Sequence, residues 1–185
     1  MSTPDQSPSS RPSKGSRKTP ALQTLRFLVG AVIGALFLMA VALMFVLGLG
    51  PPPLLSVALL LFLGAGAYFL IESVGYRVKA VDANQSEDAA RQEGMKQFQS
   101  SLMRRLAIAE SVAVIGILLA FIAKTVIIYD VGASVSILLL MIHVWPSERS
   151  VDRVVTGLER DGARTGLREM LGLRGPQDGP VTDLG

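Results

Sequence analysis

The sequence predicts an all-α, polytopic membrane protein. Four transmembrane helices form two hairpins, with cytoplasmic amphipathic helices attached. Three observations lead there. Half of the 185 residues are hydrophobic and the mean hydropathy is +0.45, which is high for a soluble domain. The apolar residues also lie in long runs. Residues 27–49 and 54–71 carry no charge, 106–123 only Glu110, and 131–145 only the ionisable His143. A hydrocarbon core of about 30 Å needs roughly 20 helical residues. The first three runs meet that length, and the fourth must borrow from its flanks or thin the bilayer. Finally, the basic residues alternate along the chain. They precede the first run, fill the segment between the second and third, and follow the fourth, while the other two connections hold only Lys124. The positive-inside rule then places both termini and the central loop in the cytoplasm, as a multi-pass protein of the cell (inner) membrane.

Residues 1–20 are rich in Ser, Pro and basic side chains, and are expected to be a disordered tail whose basic groups serve as an orientation signal, with contact to anionic headgroups as the lesser reading. The first hairpin spans 21–76. Its first helix carries Gly30 and Gly34, a GxxxG pair of the kind that lets helices approach closely in lipid. The run is too long for a cleaved signal peptide, so an uncleaved anchor is expected. Gly50 and three prolines stop it and fold the chain tightly back onto a second helix. Glu72 and Tyr76 close that helix at the inner surface.

Residues 77–103 form the cytoplasmic loop. Ser86 followed by Glu87 and Asp88 reads as a helix start. Met95, Phe98 and Leu102 share a face beyond it, and Gly94 is a point where the helix can bend. The second hairpin spans 104–146. Its first helix carries Ala109, Ala113, Gly116, Ala120 and Ala123 at steps of 4, 3, 4 and 3, a stripe that stays on one face for packing against a neighbour or a second copy. Tyr129 and Trp145 are expected at its outer and inner ends, where amphipathic rings prefer the interface. Over 147–173, Ser147 or Ser150 caps an interfacial helix with Val151, Val154, Val155 and Leu158 on one side. Residues 174–185 are expected to be loose.

Counting 1.5 Å per residue from Arg105, taken as the membrane boundary with a side chain reaching outward, places Glu110 about 7 Å inside. His143, Glu72 and Arg26 fall near the same level. Two readings stay open: a polar clasp pinning the helix ends, or a proton or ion site built from Glu110, His143 and Glu72.

The stretch "AIAESVAVIGILLAFI" resembles the proton-carrying helix of ATP synthase subunit c, the proteolipid, and Ala90-Arg91-Gln92 resembles the polar-loop signature preceding it. That resemblance covers residues 90–122. It implies that Glu110 is an ion-binding carboxylate and that Arg91 and Gln92 form the loop pair. The chain departs from the pattern at Glu93, where the proteolipid has proline. The second half, ending in "LLLMIHVWPSER", resembles small bacterial, actinobacterial-type four-helix integral membrane proteins of unknown function.

No phosphate loop, nucleophile elbow or catalytic carboxylate pair is present, so no enzyme activity and no catalytic residues are expected. The chain has no cysteine and one histidine, which leaves no cofactor and no metal site to expect. The basic residues flank spans without interleaved aromatics, against nucleic-acid binding. The expected partners are the lipid bilayer and a homo-oligomer or membrane-complex subunit. The function expected is that of a small structural or accessory membrane protein assembling through Gly30, Gly34 and the alanine stripe. The alternatives are proton or ion coupling through Glu110, and membrane-surface sensing through the C-terminal amphipathic helix.

Overall fold

A computed structural model describes residues 20–145, 147–171 and 173. Apart from Pro20, the tail expected over 1–20 lies outside the described residues, as do Pro146 and the tail from 174. The described elements are all helical: α1 (Pro20–Leu47), α2 (Leu54–Leu70), α3 (Glu87–Ala123), α4 (Val126–Leu139), α5 (Glu148–Leu158) and α6 (Leu167–Met170). Four helical stretches are long and apolar enough to cross a membrane: Gln23–Leu47, Leu54–Gly75, Glu87–Ala123 and Val126–Val144.

α3 and α4 form the centre of the bundle. Ala109, Ala113, Gly116 and Ala120 are all buried. A Cβ built on Gly132 of α4 would stand 3.2 Å from the Gly116 Cα, so the two backbones meet where both side chains are absent. The neighbour expected for the stripe is thus a helix of the same chain. The connection between the third and fourth apolar helices, which holds Lys124, is only two residues long. Lys124 takes a left-handed φ of 53°, and Thr125 caps α4 by accepting from the Ile127 N–H. The fourth span therefore borrows its length from its N-terminal flank.

The tight pairing expected of the first two helices is not what forms. α1 packs chiefly on α4, with little contact to α2. Val29 and Leu43 are its buried side chains. The Tyr129 hydroxyl, buried instead of sitting at an interface, donates to the Leu36 carbonyl of α1 at 2.9 Å. Thr125 also joins the two turns: its hydroxyl donates to the Gly50 carbonyl at 2.7 Å, and the Val126 N–H donates to the Gly48 carbonyl at 3.1 Å.

α3 runs 37 residues, with Ser86 as its N-cap. It continues through Gly94, whose missing side chain admits Thr165: a Cβ there would meet the Thr165 Cβ at 3.1 Å. The first part of α3 carries a second, smaller core. Ala90 and Phe98 pack with Val81, Val151, Val154, Leu158 and Leu167. α5 begins in a capping box in which Ser147 and Ser150 satisfy each other's backbone N–H groups. Its apolar face, expected on the membrane surface, points into this core instead. Burial against Phe98 removes the apolar area from water without a bilayer.

Candidate functional site

α2 and α4 end in the same way. Each continues into a π-helical turn, Ile71–Gly75 and Leu140–Val144. Such turns are rare and are frequent at functional sites. A helix end leaves carbonyls without intrahelical donors and carries partial negative charge. α3 supplies donors to both ends. The Ser101 hydroxyl donates to the Gly75 carbonyl at 2.7 Å, and the Arg105 guanidinium donates to the His143 carbonyl at 2.7 Å and to its own helix at Ser101 O, 3.3 Å away.

Arg105 is fully buried. This corrects the expectation that it reaches outward from a boundary. Its stem passes over Gly75, where a Cβ would stand 2.7 Å from the Arg105 Cγ, and its guanidinium carbon lies 4.5 Å from the centre of the Tyr76 ring. Cation–π attraction, the helix-end carbonyl of His143 and the Ser101 carbonyl one turn back on α3 replace the water it gives up. No carboxylate forms an ion pair with it among the described residues, and its Nη2 has no hydrogen-bond partner.

His143 lies beside it. The ring is buried, with Tyr76 Oη 3.4 Å from Nδ1 and the Tyr68 ring edge-on at 4.9 Å. Glu72 Oε1 stands 3.6 Å from Nδ1, and Nε2 has no partner. Glu72 is anchored on its outer side by α5: Arg153 Nη1 donates to both carboxylate oxygens, at 2.9 and 3.0 Å. That hydrogen bond pushes the Arg153 guanidinium further above its ordinary pKa, so it is cationic at every accessible pH. Arg153 also stands 5.0 Å from the Tyr76 ring centre. With His143 neutral, Arg105 and Arg153 against Glu72 leave the cluster one positive charge in excess.

Of the three residues expected to share an ionisable site, the structure brings together Glu72 and His143. Glu110 is half-buried on α3 and makes no hydrogen bond or ion pair among the described residues. Arg26 is exposed on α1, and no ion pair joins it to the cluster. Gly30 and Gly34 are exposed, with nothing within 4 Å of where a Cβ would sit. Arg91 and Gln92, matched above to a loop, stand inside α3, where Arg91 pairs with Glu87 one turn earlier at 2.6 Å.

Ser101 and Arg153 have no role in the sequence reading and Arg105 only that of a boundary, although one signal for two of them is there. Stepping back four residues at a time from Ala109 lands on Arg105 and then Ser101. That face, extended toward the N-terminal part of α3, carries two buried polar side chains, although the stripe's own alternation of steps runs back through Leu106 and Leu102. Beside the cluster, a pocket of about 440 Å³ is lined by Glu72, Tyr76, Asp152, Arg153 and Thr156. Among the described residues no group of three or more His, Asp or Glu could hold a metal ion.

No protein-family model, no curated protein and no solved structure matches the chain.

Proposed function

We propose that the chain is a multi-pass integral protein of the cell membrane, with both termini cytoplasmic, and that it acts as a structural or accessory subunit without catalytic activity. The observation that carries this reading is the shared helix α3. One end of it builds the core of an apolar bundle, and the other builds a separate polar-surfaced core with α5 and α6. A bundle that carries such a module offers partners a fixed platform. The alternation of basic segments supports the orientation.

The alanine stripe is occupied within the chain, so assembly falls to α1, where Gly30 and Gly34 stand uncovered. Chemical cross-linking in native membranes tests this. Gly34→Leu is expected to reduce cross-linked species several-fold while leaving the thermal midpoint of the purified protein in place. Unchanged cross-linking would remove α1 from the role, and a C-terminal reporter found outside the cell would overturn the orientation.

A second reading, proton or ion coupling, is favoured by the Glu72–His143 contact and by the unpartnered Glu110. A membrane-permeant carbodiimide attacks protonated carboxyl groups in apolar surroundings. Fast, pH-dependent modification of Glu110, mapped by mass spectrometry, supports coupling, and an unmodified Glu110 counts against it.

A further inference from the structure

We propose that the pocket between the end of α2 and α5 binds the headgroup of a monoanionic, hydroxyl-bearing phospholipid, of the phosphatidylglycerol kind. This rests on the reading that the four helices span a bilayer.

Position is the first support. Glu72 and Tyr76, which line the pocket, continue a face of α2 formed by Phe62, Ala65 and Phe69 at steps of three and four residues. Phe62 is 75% exposed and Phe69 70% exposed. An apolar strip roughly 15 Å long, ten residues from Phe62 to Glu72, leads straight into a polar pocket. That is the layout of an acyl chain ending in a headgroup.

Charge is the second support. Around the pocket, Glu72 is balanced by Arg153 and Asp152 is paired with Arg168. Arg105, behind the Tyr76 ring, has no carboxylate partner and a buried Nη2 without a hydrogen bond. The surplus is one positive charge, and burial makes such a surplus costly. A ligand carrying a single phosphodiester charge cancels it. The local field falls off over roughly a Debye length, about 8 Å at physiological salt, so the phosphate need not touch Arg105.

The lining chemistry narrows the class. Arg153 uses only Nη1 for Glu72, which leaves Nε and Nη2 to donate to a phosphate oxygen. The carboxylates of Glu72 and Asp152 accept hydrogen bonds. They suit a headgroup with free hydroxyl donors and disfavour a bare phosphate monoester of higher charge. The volume, about 440 Å³, accommodates a glycerol phosphate group.

The test uses the full chain purified in detergent. Thermal midpoints are read with added phosphatidylglycerol, with phosphatidylcholine, and with soluble glycerol phosphate. Phosphatidylglycerol is expected to raise the midpoint by about 3–6 °C, phosphatidylcholine by clearly less, and glycerol phosphate not at all. Arg153→Gln is expected to abolish the difference between the two lipids. Arg160→Gln, which changes the same charge at an exposed pair with Asp161, is expected to keep it. Equal shifts from both lipids, or selectivity that survives Arg153→Gln, would overturn the proposal. A shift from glycerol phosphate equal to that from the lipid would reassign the pocket to a soluble phosphate monoester and overturn both the lipid assignment and the preference for a single charge. Carbonate extraction of native membranes is a separate measurement: a chain released by it fails the spanning premise, whatever the lipid result.

Discussion

Arg105 shows how a charged side chain becomes a structural element. Its burial depends on three neighbours: Gly75, which leaves room for the stem, the His143 carbonyl, which accepts a hydrogen bond, and Tyr76, which covers the guanidinium. Arg105→Leu removes the charged donor and leaves the buried carbonyl only a long contact from the Tyr76 hydroxyl, at 3.5 Å. Chemical denaturation in detergent is expected to show a loss of about 2–4 kcal/mol. Gly75→Ala forces a Cβ to within 2.7 Å of the Arg105 Cγ, with an expected loss of about 1–3 kcal/mol. Ser101→Ala deletes one buried hydrogen bond and should cost about 1–2 kcal/mol. Glu72 and His143 were legible in the sequence, because each is the ionisable group nearest the inner end of an apolar run. Arg105 was not, because charged residues near span ends ordinarily extend toward water. The compensation it finds lies in the orphan carbonyl of one distant helix end and in the Tyr76 ring, which no local pattern reveals.

At the scale of elements, four helices long and apolar enough to cross a membrane and the Ser86 cap follow directly from run length and hydroxyl placement, while the α5 cap lies open between Ser147 and Ser150, of which Ser147 takes the place. The stripe on α3 was equally plain as a packing face. Its partner was not, since small residues specify close approach without specifying to what. The answer is the glycine opposite, Gly132, together with a turn only two residues long. Gly116→Leu is expected to separate α3 from α4 and to lower the thermal midpoint sharply, in contrast to the silent fold of Gly34→Leu. Thr125 gives a finer test. It caps α4 and donates across to Gly50, so Thr125→Ala should cost about 1–2 kcal/mol in the same denaturation assay. The weak pairing of α1 with α2 was hidden because a proline turn fixes where a chain reverses and leaves open which helix the returning segment touches. The Tyr129 hydroxyl on Leu36 draws α1 toward α4.

The whole molecule holds two cores on one helix. The second was half-visible: the apolar faces of α3 and α5 could each be read, but an amphipathic helix near a membrane has two places to bury its face, lipid or protein. Here Phe98 and Val154 choose each other. Deleting residues 147–185 should therefore uncover α3 outside the bundle. Hydrogen exchange is expected to accelerate over residues 87–100 and to stay slow over 106–123; uniform protection along α3 would mean that the second core contributes nothing to its stability. The uninterrupted path of α3 through both cores also makes it a mechanical arm. From Arg105 to Glu87 it reaches about 27 Å beyond its buried pivot. A tilt of roughly 10°, small beside the range seen for membrane helices, would swing the far end by about 5 Å. On the reading that the bundle spans a bilayer, a change in bilayer thickness absorbed by tilting would thus reach the polar module as displacement, with Gly75 and Arg105 at the fulcrum.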